Sequence, residues 1–132
     1  MATTSAIVRA EPRATRLFSL EVDWESDASG DASASFSGIS GLIYGANIIP
    51  DSGGTQPTDA YDVTVTDADG LDLLGGNGAD QSNSAAAYVP ASCTLGGSAQ
   101  ATPRPVDGSL TVTIAGAGDT KGGKVVLLLE NR

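Results

Sequence analysis

Residues 61–79 read YDVTVTDADGLDLLGGNGA. Tyr61, Val63 and Val65 alternate with Asp62, Thr64 and Thr66, the two-residue period of a strand that buries one face. The acidic run that follows admits two readings. Asp67, Asp69 and Asp72 offer the oxygen ligands that a hard cation takes, with Gly70 to permit a tight bend, which makes them weak candidates for a metal site. A helix-flanked calcium loop, however, needs an acidic residue at its twelfth position. Counting from Asp67, that position is Gly78, and the flanks look like strands instead. A hairpin turn fits better: Asp side chains accept backbone N–H groups, and Gly70 supplies a positive φ between VTVT and LDLL. Read so, the stretch belongs to a β protein.

The same period recurs on both sides of it. From Phe18 to Trp24 apolar residues alternate with Ser19, Glu21 and Asp23, and DASGD at 27–31 reads as a turn. A short strand is expected over 35–38 and a stronger one over 41–49, where Gly45 marks a bulge or a close backbone approach. The 50–59 segment, PDSGGTQPTD, reads as loop, as does GGNGADQSNS at 75–84. Residues 85–89 read as a weak strand or a short helical turn. Few large apolar residues occur over 91–107, so loop is expected there. SLTVTI at 109–114 is a strand, AGAGDTKGG at 115–123 a hairpin connection, and KVVLLLE at 124–130 the closing strand. The unbroken apolar run Val125, Val126, Leu127, Leu128 and Leu129 predicts burial on two faces, by the core and by a neighbouring subunit. Trp24 reads as core or interface. Six to eight short strands between Gly-rich turns predict an all-β fold, a small β-sandwich or barrel. Residues 1–13, MATTSAIVRAEPR, lack a sustained period and read as a flexible arm before a single β-rich domain over 14–132.

The chain has 132 residues, a formal net charge of −9 and no His. The commonest general base and metal ligand is therefore missing, and enzymatic chemistry is not expected. Between Leu17 and Asp107 the only basic residue is Arg104, so the middle of the chain repels nucleic acid and anionic membranes. Arg9, Arg13 and Arg16 precede this acidic block and are candidates for docking onto an acidic neighbour, or are solvated end charges. Cys93 is the single cysteine, which excludes an internal disulfide, and no His or basic residue lies near it in sequence to activate it. None of the glycine clusters has P-loop spacing, and no cofactor is expected. No apolar run in the sequence reaches the length of a signal peptide core or a membrane span, so synthesis in the cytoplasm is expected.

YDVTVTDADGLDLLGGNGA, followed by PVDGSLTVTIAGAGDTKGGKVVLLL, resembles small virion proteins from the structural gene clusters of tailed bacteriophages. The resemblance covers residues 61–129, and its motifs are structural rather than catalytic. Proteins of this kind include capsid decoration, or cement, proteins. The resemblance implies a β-rich module on the outer surface of the virion, with the major capsid protein as partner and a homo-trimeric arrangement on the shell. On this reading Arg9, Arg13 and Arg16 dock on the capsid, while Trp24 and Val125 to Leu129 form the subunit interface. Two alternatives stay open: a tail or head-to-tail connector component, and an immunoglobulin-like display module that binds host-surface glycans.

Overall fold

The computed structural model describes the backbone of Thr4–Ala10 and residues 16–131. Nine strands and no α-helix occur among the described residues. They are β1 (Thr4–Ala10), β2 (Leu17–Glu25), β3 (Ala32–Pro50), β4 (Asp62–Thr66), β5 (Ala87–Pro90), β6 (Ser92–Leu95), β7 (Ser98–Ala101), β8 (Arg104–Ala115) and β9 (Gly122–Asn131). A 3-10 turn occupies Gly53–Thr55. Seven strands form one antiparallel sheet in the order β1-β2-β9-β3-β8-β4, with β5 also on β3, while β6 and β7 pair only with each other.

The sheet folds over on itself. Four strand-to-strand steps separate β2 from β4, a distance of about 19 Å in a flat sheet. Yet the ring of Trp24 on β2 lies 5.8 Å, centroid to centroid, from that of Tyr61 at the start of β4. One apolar cluster fills the space between the layers. It joins Leu20, Val22 and Trp24 of β2, Ile43, Ala46 and Ile48 of β3, Val63 and Val65 of β4, Leu110, Val112 and Ile114 of β8, and Val125, Leu127 and Leu129 of β9.

The hinge of this closure is β3. Its first part, Ala32 to Ile43, pairs with β8, and its last part, Gly41 to Pro50, pairs with β9. The register shifts between Phe36 and Ile39 against β8, and between Ile43 and Gly45 against β9. Bulges bend and twist a strand locally, which lets one strand serve two layers. The expected break between strands at 35–38 and 41–49 is therefore a bulge inside one strand of 19 residues. Gly45 meets both expectations placed on it. It adjoins the second shift, and a Cβ there would stand 2.6 Å from the Tyr88 hydroxyl and from the Val89 carbonyl.

Three further expectations change. The 91–107 segment contains the β6–β7 hairpin and the start of β8 instead of loop. Its residues from Thr94 to Ala101 are exposed on both faces, so no apolar alternation marks them. Residues 71–74 do not form the second strand of a hairpin. Only an isolated bridge, Thr66 to Asp72, continues the ladder, because Leu73 and Leu74 both turn into the core. Within the expected N-terminal arm, Thr4–Ala10 pairs with β2 as an edge strand, Val8 opposite Leu20 and Arg9 opposite Ser19. The rest of residues 1–13 lies outside the described residues.

Candidate docking surface

The carboxylates of the 67–72 run serve the turn. Asp67 Oδ1 accepts the N–H groups of Asp69 and Leu71, both at 3.0 Å, and Gly70 has φ of 84°. Asp72 holds three amides: Oδ1 accepts from Val65 at 3.2 Å and Leu74 at 3.1 Å, and Oδ2 accepts from Gly76 at 2.9 Å. No cluster of three potential metal ligands occurs among the described residues, so Asp67, Asp69 and Asp72 do not converge on one point.

After this turn the chain runs back along the open edge of β4. Leu73 donates to the Val65 carbonyl at 2.7 Å, Val63 donates to that of Gly78 at 2.9 Å, and Gln81 donates to that of Tyr61 at 2.7 Å. The LDLLGGNGADQ segment therefore closes an edge that would otherwise offer unpaired backbone groups.

Of the expected capsid-docking arginines, Arg16 is exposed and lies just before β2, where its carbonyl accepts from Asn131 at 2.8 Å. Arg9 falls within β1, and Arg13 lies outside the described residues.

The expected subunit interface divides by face. Trp24, Val125, Leu127 and Leu129 are at most 2% exposed and belong to the core, so their assignment to an interface is corrected. Strand alternation turns Val126 and Leu128 to the opposite side, where they are half-buried between Lys124 and Glu130. Their register neighbours there are Glu21 and Ser19 on β2 and Asn47 and Gly45 on β3. Tyr88 of β5, 50% exposed, donates its hydroxyl to the Tyr44 carbonyl at 3.0 Å, and Tyr44 donates to Glu130 Oε2 at 3.0 Å. Exposed Ile49 and Leu17 stand at the ends of β3 and β2. The result is an outward sheet face with an aliphatic and aromatic centre, Lys124 and Glu130 at its margins, and Glu21, only 7% exposed, on its β2 side. The unbroken apolar run marked Val126 and Leu128 for a subunit interface, and the structure turns both away from the core. Sequence reasoning missed Tyr88, whose place depends on the pairing of β5 with β3.

A polar hollow of about 330 Å³ opens where the end of β2, the start of β9 and the residues after β3 meet. Asp23, Glu25 and Asp51 line it, together with Thr55 and Lys121. Thr55 donates its hydroxyl to Asp51 at 3.0 Å, and the Lys121 ammonium donates to the Gly54 carbonyl at 3.3 Å. These contacts fasten the 3-10 turn to the start of β9.

Tyr61 lies fully buried nearby, and its hydroxyl has no hydrogen-bond partner among the described residues. Burial, reinforced by the negative charge of Asp51, pushes the phenol up to about 12. Below pH 10 the phenol is neutral in both folded and unfolded chains. Between 10 and 12 the unfolded chain ionises while the folded one does not, so stability falls as pH rises, by up to about 1.4 kcal/mol per pH unit. Tyr61→Phe is expected to remove this alkaline step. It is also expected to be neutral or stabilising by about 1 kcal/mol at pH 7, because the buried hydroxyl it deletes is unpaired. Urea unfolding of both proteins at pH 7 and pH 11 measures both effects; a loss of more than about 1 kcal/mol at pH 7 would mean that the hydroxyl is satisfied.

Comparison with protein-family models, with curated proteins and with solved structures gave no match.

Proposed function

We propose that this chain is a structural protein of the capsid decoration type, which binds the outside of an assembled phage shell and stabilises it. The observation that carries this reading is the outward face of β9, where Val126 and Leu128 form an aliphatic centre with Tyr88 and Ile49 near them. On an antiparallel sheet the face turned from the core is ordinarily polar, and an apolar centre with a charged rim is the usual composition of a docking surface. The resemblance of residues 61–129 to small virion proteins supports the same reading. The acidic body suits a subunit that stays soluble before assembly. Arg16, exposed just before β2, adds a cation at that end of the strand.

The test mixes purified protein with undecorated phage shells and images them by electron microscopy. Regular added density at capsid symmetry positions is expected. Leu128→Asp is expected to keep its thermal midpoint within a few degrees, because the side chain is on the outer face, and to reduce shell occupancy by roughly tenfold or more. Density confined to the tail would replace the capsid reading with a tail or connector role. Full occupancy by Leu128→Asp would remove β9 from the docking surface.

A further inference from the structure

The structure assigns a second contact surface to the outer edge of β7, and we infer that its occupant is the same edge of a second copy of this chain. The β6–β7 ribbon stands apart from the main sheet. A two-residue turn closes it, with Gly96 at φ 58° and Gly97 at φ 85°, the left-handed pair that a type I′ hairpin requires. Its register, Leu95 to Ser98, Cys93 to Gln100 and Ser92 to Ala101, fixes which backbone groups point inward. In an antiparallel ladder, pairs that bond each other alternate with pairs whose groups point away from each other. The pair closing the turn is a bonded one, so Leu95/Ser98 and Cys93/Gln100 bond within the ribbon. Thr94/Ala99 and Ser92/Ala101 point outward.

The two outer edges are treated differently. On the β6 side the protein body meets Ser92: its N–H donates to the Leu73 carbonyl at 3.0 Å, and its carbonyl accepts from Arg104 at 2.6 Å. On the β7 side the N–H and C=O groups of Ala99 and Ala101 have no partner among the described residues outside the ribbon. Apart from its shortness, four residues, the strand carries none of the usual guards of an edge. Ser98 to Ala101 contains no Pro, no charge and no bulge, whereas the edge of β4 is closed by a dedicated segment. An isolated two-stranded ribbon is marginal in water, and all four residues of β7 are exposed.

Charge selects the occupant. No Asp, Glu, Lys or Arg occurs from Gln81 to Pro103, in a chain with a net charge of −9. Two like-charged copies therefore meet with least repulsion at this ribbon. The edge is also self-complementary. With Gln100 facing Gln100 of the partner copy across a twofold axis, Ala99 of each copy meets Ala101 of the other. All four outward groups on each edge are then paired, and the side-chain amides of the two Gln100 residues are within reach of each other. Such a contact is isologous and closes at two copies, in place of the threefold association that the resemblance implies.

The test uses the purified protein alone, so its result is separate from shell binding. Sedimentation across a concentration series is expected to show a monomer–dimer equilibrium that strengthens with added salt, which screens the acidic bodies. Ala99→Pro removes an N–H that the monomer does not use and is expected to weaken the dimer by roughly tenfold or more with an unchanged thermal midpoint. Ala99→Ser retains the dimer. The register also predicts a cross-link: residues facing each other in a pair that is not hydrogen-bonded have Cα atoms roughly 4.5 Å apart, within disulfide range. Gln100→Cys combined with Cys93→Ser, which removes the facing thiol in the same ribbon, is expected to yield a covalent dimer on mild oxidation. A protein that stays monomeric and gives no cross-link would overturn the inference. A dimer that Ala99→Pro leaves unweakened, or an assembly of three, would do so as well. Should Ala99→Pro fail to fold, the cross-link decides alone.

Discussion

Replacing Trp24 with Ala is expected to cost about 3–5 kcal/mol, the range for removing a large aromatic side chain from a packed core. The side chain is 2% exposed and meets Tyr61 across the closed sandwich, so its loss opens a void between the two ends of the sheet instead of trimming one layer. Partial collapse is resisted on the β9 side, where Gly123 lies directly against the indole and has no side chain to move inward. A loss of this size is a large fraction of the 5–15 kcal/mol that holds an ordinary domain folded. Guanidinium unfolding followed by circular dichroism measures it. A loss below about 1 kcal/mol would show that Trp24 does not lock the layers. Leu128→Asp on the opposite face of the sheet is the matched control, since it leaves the core intact.

Asp72→Ala is expected to destabilise the protein by about 2–3 kcal/mol. Hydrogen bonds to a charged acceptor contribute roughly 1.5–3 kcal/mol each, and three amides share this one carboxylate, but its partial exposure to water reduces the sum. The amide of Val65 is the telling partner, because it belongs to β4 and not to the turn. Its hydrogen exchange is expected to speed up in the variant along with that of Val63, as the segment that covers the β4 edge loosens. Asp69→Ala, at an exposed site, is expected to stay within about 0.5 kcal/mol of the parent. A chelator is expected to change neither protein. A drop in stability on adding chelator to the parent would restore the metal reading of the run and displace the turn.

The strands with one buried face were legible in the sequence because alternation encodes a buried and a solvated side. Phe18 to Trp24, Tyr61 to Val65 and Leu110 to Ile114 all lie where the period put them. The β6–β7 ribbon was not legible by that signal, since neither face of β7 is buried and its alternation vanishes. The Gly-Gly pair between two four-residue segments was the remaining clue. The interface assignment failed for a different reason. An unbroken run such as VVLLL reports that both faces are apolar without reporting which residues turn inward, and Val125, Leu127 and Leu129 took the core. That β3 is one strand followed from its two bulges, whose positions depend on pairing with β8 and β9 and leave little trace in the local sequence.

The pairing of β3 also sets the order of events when the chain is made. Both of its major partners, β8 and β9, come from the last third of the sequence, and β2 waits for β9 as well, with Leu20 opposite Leu127. Local contacts alone can build the β1–β2 ladder, the 27–31 turn and the ribbon of β6 and β7, but they cannot close the sandwich. On a ribosome, β2 emerges with β1 as its one early neighbour and β3 with neither of its major partners, so their core faces stay solvated until residues 104–131 have cleared the exit tunnel. Folding is then a single late event dominated by distant pairings, which places this protein among slow-folding β domains.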